Sequence, residues 1–453
     1  MSRAFLNSGF GSKSQLMAAT LLLLGANTRA LADDWPQWLG PQRDGVWRET
    51  GILDKFPANG PVVRWRAAVN AGYAGPAVAD GRVYVTDRVV AKDAKVPTNA
   101  FARGNIAGTE RVLCFNEADG KPVWTHEYDC PYTVSYPLGP RTTPLVSGGK
   151  VYTLGTEGNL LCLDSSTGKL NWSRDFKKDY GVKAPMWGFS SHPLLDGQKL
   201  ICMVGGEGST VVAFDKDTGK EIWKALTAKE PGYCPPMIYE AGGKRQLIVW
   251  HAEALASLDP ETGKTYWSEP VNAYAAMSIS TPRKAGDQLF ITAAMSTAIL
   301  LRLAADRPHA DVVWRKNKQQ EAMHSVFSTP FFADEYIYGC TNDGELVCLK
   351  ADTGERIWGT MQPNNNQKLR SGDVFLIKNG DRFFLFTEKG DLIIAKLSPK
   401  GYEELARTHL LDATSSAWGR QVLWSHPAFA NRCIFARNDK ELICVSLAAA
   451  AGK

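Results

Sequence analysis

Three arginines and several aromatic or imidazole side chains recur along this chain at intervals that would carry them to one axis. Tyr73, Arg141, Trp187, Tyr233, Met277, His324, Arg370, and Trp418 with Arg420 each stand just ahead of a short apolar run that opens a new structural unit. Aromatic faces stack on planar rings, and guanidinium forks take carboxylates in bidentate fashion. Such a set suits a planar, anionic or sugar-like ligand in a central funnel. The same side chains would equally serve to plug the funnel and satisfy one another.

Other reactive residue types are present without a pattern. The histidines (His126, His192, His251, His309, His324, His409, His426) are scattered, and His192 and His426 hold equivalent slots before a proline. No H-E-x-x-H and no G-x-S-x-G occurs, which argues against zinc and serine hydrolases. Asp215-Lys216-Asp217-Thr218-Gly219 starts like a calcium loop but lacks the distal Glu. The Gly-rich run Gly205-Gly206-Glu207-Gly208 opens no helix and so makes no phosphate cradle. Glu157, Glu207, Glu253 and Asp343 are candidate oxygen ligands, one per loop. No two acids are placed as a polysaccharide hydrolase needs, and no metal site is expected.

The elements that must position these residues come from a repeat. Leu160 to Trp172 reads LLCLDSSTGKLNW: an alternating apolar run, Asp164, a Thr-Gly turn, and a second run closed by Trp172. This predicts strand, tight turn and strand, with Gly168 at positive φ. The pattern returns with closing residues Trp124, Trp223, Trp267, Trp314 and Trp358, and without a tryptophan near Leu405. From Trp124 the spacings are 48, 51, 44, 47, 44 and 47 residues. A strand-rich period in the middle forties means a propeller or solenoid. The repeated tryptophans (Trp65, Trp124, Trp172, Trp223, Trp267, Trp314, Trp358) read as wedges between neighbouring units.

The two ends complete one another. The last repeat offers three strands and stops, while Val62–Trp65 resembles a closing strand with no turn before it. The expected fold is all-β: an eight-bladed β-propeller of four-stranded blades, ring-closed by that N-terminal strand, which removes exposed edges. Most blades open with a small residue before proline (Thr143-Pro144, His192-Pro193, Thr281-Pro282, Thr329-Pro330, His426-Pro427), where the missing N–H costs nothing. Domain boundaries follow: a signal peptide over 1–32, an extended lead-in over 33–61 laid across the surface, the propeller over 62–447, and a short tail over 448–453. Connections from each outer strand to the next inner strand are long, and blade 1 carries an insertion from Val89 to Glu110. Function concentrates on long loops held by a rigid scaffold, so that face is the expected site.

Of nine cysteines, Cys114, Cys162 and Cys348 occupy one slot in different blades and cannot bridge. They read as small core hydrophobes. Cys433 and Cys444 fall opposite each other if a hairpin turns at Asn438-Asp439, and are a possible disulfide. Residues 16–26 form a short apolar core after a basic start, followed by Ala30-Leu31-Ala32, as in a cleaved export signal. Arg3, Lys13 and Arg29 in that leader contribute +3 to the formal net charge of +5, so the remainder is near neutral and nothing argues for nucleic acid. The expectation is a periplasmic or secreted monomer with no membrane span.

The A/C-x-D-x-x-T-G-K-x-x-W unit resembles the pyrroloquinoline-quinone-type propeller repeat of quinoprotein alcohol dehydrogenases and of the non-catalytic assembly lipoprotein BamB. The opening DWPQWLGPQRDGV, with GPRTTP and WGFSSHP, is similar to exported propellers common in planctomycete-type bacteria. A dehydrogenase of this kind implies the quinone (PQQ), a Ca²⁺ cage of Glu, Asn and Asp, a catalytic Asp and a disulfide between adjacent cysteines. No adjacent cysteines occur here and no position matches the cage. The expectation is therefore a non-catalytic scaffold without cofactor, binding a protein partner or a small, sugar-like ligand. The alternative is an atypical PQQ- and calcium-dependent dehydrogenase with its site in the funnel.

Overall fold

The computed structural model describes residues 33–318 and 320–450. The leader and its cleavage site lie outside the described residues. Eight antiparallel four-stranded sheets follow one another around a ring: blade 1 spans residues 77–129, blade 2 145–175, blade 3 194–225, blade 4 237–270, blade 5 283–316, blade 6 331–360, blade 7 374–409, and blade 8 428–446 with the N-terminal strand 63–68. Blade 2 shows the plan: Leu145–Ser147 innermost, then Lys150–Leu154, Asn159–Asp164 and the outer Leu170–Asp175. Middle strands are buried throughout, because each packs against a neighbouring blade on both faces. Outer strands alternate between half-buried and exposed.

Blade 8 consists of Ala428–Ala430, Cys433–Arg437, Glu441–Ser446 and, as its outer strand, the N-terminal Val63–Ala68. Trp65 pairs with Cys444 and Ala68 with Glu441. The ring is thus closed by strand pairing between its two ends. Within this blade the hairpin register sets Cys433 against Ser446 and Cys444 against Phe435. The two cysteines are therefore diagonal rather than directly opposite, and all nine cysteines are buried free thiols.

The repeated tryptophans show why the unit recurs. Each pairs across its blade beside a one-residue bulge, as Trp172 does with Cys162 and Trp358 with Cys348. From there the indole reaches the next blade's turn. Trp124 Nε1 donates to Ser165 O (3.0 Å), Trp172 to Lys216 O (3.0 Å), Trp314 to Ala351 O (2.8 Å) and Trp65 to Glu117 O (2.7 Å). The turn glycine lies flat under the ring: a Cβ on Gly168 would meet Trp124 at 2.5 Å, and one on Gly219 would meet Trp172 at 2.6 Å. Glycine is required there twice over, since φ is +71° and +69°. Trp267 is the exception. Blade 5 has no Thr-Gly turn, and Trp267 donates to Gln246 in its own blade instead (2.8 Å).

The first half of the lead-in does not lie on the surface, whereas most of residues 48–60 does. Trp35, Trp38, Arg43 and Trp47 are all buried. Trp35 bridges to Val78 in blade 1, Val46 bridges to Lys378 in blade 7, and Ile52 bridges to Ala448 in the tail. With Leu39 these make five large or long side chains in thirteen residues, which cannot stay in water at low cost and bury themselves against the inner strands of the ring.

Candidate functional site

The axis is filled from the short-turn side by the chain's own lead-in. Trp38 stacks on His192 of blade 3 (ring centroids 4.3 Å apart, planes within 8°) and meets His426 of blade 8 edge-on at 4.2 Å. Its Nε1 donates to Thr281 Oγ1 of blade 5 (3.0 Å). Only a side chain at the centre of the ring touches blades 3, 5 and 8 together. Around it, Thr143 N donates to His192 Nδ1 (3.0 Å), and Thr143 Oγ1 bonds His426 Nε2 (2.6 Å). Burial holds both imidazoles well below their ordinary pKa, His426 at about 3. Arg43 donates to the carbonyls of Pro193, His192 and Pro236. Sequence reasoning saw the proline slots and missed their ligand, Trp38. The one available signal was the density of Trp, Pro and Gly in DWPQWLGPQRDGVW.

On the long-loop side the sequence candidates divide into three groups. Tyr73, Arg141, Trp187 and Tyr233 are packed together and committed. Arg141 donates to the carbonyls of Ser135 (2.9 Å) and Tyr136 (2.7 Å) and lies 5.2 Å from the Tyr73 ring. Trp187 meets Tyr233 edge-on at 5.7 Å and packs beside Met277 and Phe327. Trp424, which sequence reasoning passed over, leans across the ring to Phe327 (4.6 Å), Tyr136 (6.0 Å) and Tyr73 (6.4 Å). These aromatics cover the axis from above. His324 is not part of this lining. It is fully buried at the entry to blade 6, with Nε2 3.4 Å from Lys316 O and Nδ1 without a partner.

The third group is Arg370, Trp418 and Arg420. Arg420 forms a two-bonded ion pair with buried Glu388 (2.7 and 3.0 Å), which fixes the hairpin Ser415–Ala417 to Arg420–Val422 that carries Trp418. Arg370 lies over the Trp418 ring, Cζ 3.7 Å from its centroid. Phe101, from the blade 1 insertion, stands 5.2 Å from Trp418 and edge-on to Tyr136 at 5.1 Å. The insertion is anchored at its base by Arg88, which donates to Pro137 O (3.0 Å) and Ile106 O (2.6 Å), and by Glu110, which accepts from Tyr128, Tyr132 and Thr156 N.

The candidate oxygen ligands do not converge. Glu157 is held by Thr133 and Lys177, Glu253 by Lys229, and Asp343 by Lys368. Among the described residues no three His, Cys, Asp or Glu side chains could hold one metal ion. A planar quinone with calcium needs an open axial slot and converging oxygens, and these residues do not fit that pair. One acid does sit near the axis unpaired: Asp373, ahead of the blade 7 inner strand, is fully buried with Oδ2 lacking a partner. Burial chiefly, with nearby Glu388 adding to it, pushes its carboxyl up to about 7. A separate shallow pocket of about 340 Å³ opens on the same face between Met186, Glu230, Glu253 and the loop Asn272–Ala276.

A closed ring of eight four-stranded blades, most of them docked on the next through a closing Trp and a turn glycine, defines a propeller of the quinoprotein repeat class. A family model described as outer membrane protein assembly factor BamB matches residues 108–360 and 303–452, and the chain belongs to that family. BamB of Shewanella oneidensis is 20% identical over 260 residues, covering 56% of this chain and 65% of that one. A quinoprotein ethanol dehydrogenase of Pseudomonas aeruginosa is 25% identical over 222 residues, covering 45% and 34%. The match thus spans less than two thirds of either relative. Among solved structures, BamB from Moraxella catarrhalis aligns at TM-score 0.51 with 14% identity over 82% of this chain and 99% of that one. Quinohemoprotein alcohol dehydrogenase from Comamonas testosteroni aligns at 0.60 with 13% identity over 93% and 81%. At such identities the structures speak for the fold alone. No helix among the described residues is long and apolar enough to cross a membrane.

Proposed function

We propose that the protein is an exported, non-catalytic scaffold that engages a partner protein on its long-loop face. The observation that carries this is the asymmetry of the ring. One mouth is sealed by the lead-in through Trp38 and Arg43, whereas the other presents Phe101, Met186, Tyr274, Met295 and Trp418 to solvent. Exposed aromatics and methionines on ordered loops mark protein-binding surfaces. The BamB family membership and the export-type leader support this reading. The rival is a quinone-dependent dehydrogenase, favoured by the relatives of that name.

The test places a photo-cross-linking residue at Tyr274 on the long-loop face and, as control, at rim residue Val123, in the native cell. One discrete protein adduct is expected at Tyr274 and none at Val123. Purified mature protein is then titrated with pyrroloquinoline quinone and Ca²⁺ while tryptophan fluorescence is followed. Saturable quenching together with oxidation of an alcohol would overturn the scaffold reading in favour of the dehydrogenase.

A further inference from the structure

Three arginines were positioned to meet a ligand, and two of them are spent inside the protein. Arg141 serves backbone carbonyls and Arg420 serves Glu388. Arg370 alone is exposed, and among the described residues it makes neither a hydrogen bond nor an ion pair. Its guanidinium is held over Trp418 by the cation–π contact, and its N–H groups donate to no described residue. The neighbouring cations have partners of their own: Lys368 pairs with Asp343, and Lys389 donates to Gln367.

The surroundings are built rather than loose. Tyr136 (φ +53°), Ser371 (+51°) and Trp418 (+52°) are non-glycine residues in the left-handed region, and all three meet at this patch. Each such residue costs free energy that the surrounding structure must offset, and such residues cluster where a side chain has to be aimed. Tyr136 N donates to Ala100 O (2.6 Å) and Ser135 Oγ to Phe101 O (2.9 Å), fixing Phe101 beside Trp418. Phe101 and Trp418 remain 40% and 37% exposed. Trp, Tyr, Phe and Arg in one ordered cluster is the composition of an interface anchor.

We propose that Arg370, stacked on Trp418, takes a side-chain carboxylate of an acidic protein segment that docks on this face; the proposal rests on the scaffold reading above. A pre-positioned guanidinium fork binds a carboxylate bidentately with little ordering cost. An acidic polysaccharide fits less well. Arg370 covers the aromatic face on which a sugar ring would stack, and Phe101 crowds the ring from 5.2 Å.

The probe is a fluorescein-labelled hexaglutamate peptide, titrated by polarisation against the mature chain, with hexaglutamine and tetragalacturonate as comparisons. Hexaglutamate is expected to bind saturably and hexaglutamine not at all. Arg370→Gln should weaken binding about tenfold or more, and Arg370→Lys less, because the charge stays while the fork is lost. Trp418→Leu, which keeps the charge, should weaken it too. Thermal midpoints of the Arg370 variants should match wild type, since Arg370 bonds nothing else. Equal binding to Arg370→Gln, no saturation by hexaglutamate at millimolar concentration, or tighter binding of tetragalacturonate would each overturn the proposal. If hexaglutamate ignores Arg370 while cross-links still form at Tyr274, only this inference falls; if no cross-link forms, the scaffold reading falls.

Discussion

The indole of Trp38 lies parallel to the imidazole of His192, 4.3 Å away, although 154 positions separate the two residues in sequence. That contact makes the lead-in a structural part of the ring. Trp38→Ala removes a buried indole ringed by Thr281, His192 and His426. The space cannot collapse, because the inner strands around it are held by their own blades. Loss of about 4 kcal/mol is expected, in the range usual for deleting a buried tryptophan. Equilibrium urea unfolding of the mature chain measures it.

His426 and His192 are neutral in the folded ring, because burial disfavours the imidazolium. His426 falls from its ordinary 6.5 to about 3. Between those values the unfolded chain binds a proton that the folded chain does not, so this contribution to stability is complete above pH 6.5 and declines as pH falls toward 3. His426→Gln lacks this decline. The stability gap between wild type and variant should therefore narrow by about 1.4 kcal/mol per pH unit on acidification below 6.5. A gap independent of pH would contradict the buried neutral imidazole.

Asp373 has the opposite sign. Its carboxyl titrates near 7 when folded and near 3.8 when unfolded, so the folded chain holds the extra proton in between. Stability from this group is present below 3.8 and lost as pH rises to about 7, where desolvation and Glu388 act against the carboxylate. Asp373→Asn should be more stable than wild type at pH 8 and no more stable at pH 4. Thermal midpoints across that range test it.

Gly219 and Gly81 have nearly the same backbone, φ +69° and +72°, but different surroundings. A Cβ on Gly219 would strike the Trp172 ring at 2.6 Å, whereas one on Gly81 meets nothing within 4 Å. Alanine at either site costs about 1 kcal/mol for the left-handed conformation. Gly219→Ala should lose a further ~1–3 kcal/mol from overpacking at the seam between blades 2 and 3. Chemical denaturation of the two variants isolates the tryptophan–glycine contact.

The ring was legible because its signal is local and repeated. Asp164, Gly168 and Trp172 fall within nine residues and their counterparts recur blade after blade, so the hairpin and the closing strand follow from pattern alone. Blade 5 lacks the Thr-Gly turn, and there Trp267 bonds within its own blade, which no spacing foretold. The path of the lead-in is not legible for the converse reason. It has no periodicity, and its partners lie 150 positions away (Pro193 for Arg43) and 243 positions away (Thr281 for Trp38). In the funnel, residue type marked Arg141, Arg370 and Arg420 alike. What separates them is which acceptors the loops bring within reach, and that depends on the left-handed turns at Tyr136 and Trp418, which favour no side chain that sequence could flag. His324 holds a lining slot by its place in the sequence, but the chain turns it inward against Lys316 O.

Arg420 and Glu388 offer the last prediction, because their pairing connects stability to the proposed anchor. Glu388 is fully buried on blade 7 and accepts two bonds from Arg420, whose hairpin carries Trp418. Leu423 N also donates to Glu388 O (2.7 Å), so the hairpin is fastened to blade 7 at both its charge and its backbone. Arg420→Ala strands a buried carboxylate and should cost about 3–5 kcal/mol. Arg420→Ala with Glu388→Gln should recover part of that, since an amide is cheaper to bury unpaired than a charge. The coupling from the double-mutant cycle is expected at ~1–3 kcal/mol. Both Arg420 variants free the hairpin, so Trp418 no longer holds Arg370 in place, and hexaglutamate affinity should fall even though Arg370 is intact. If affinity survives in the double variant while stability drops, the hairpin stabilises the ring without aiming the anchor, and Arg370 binds without its platform.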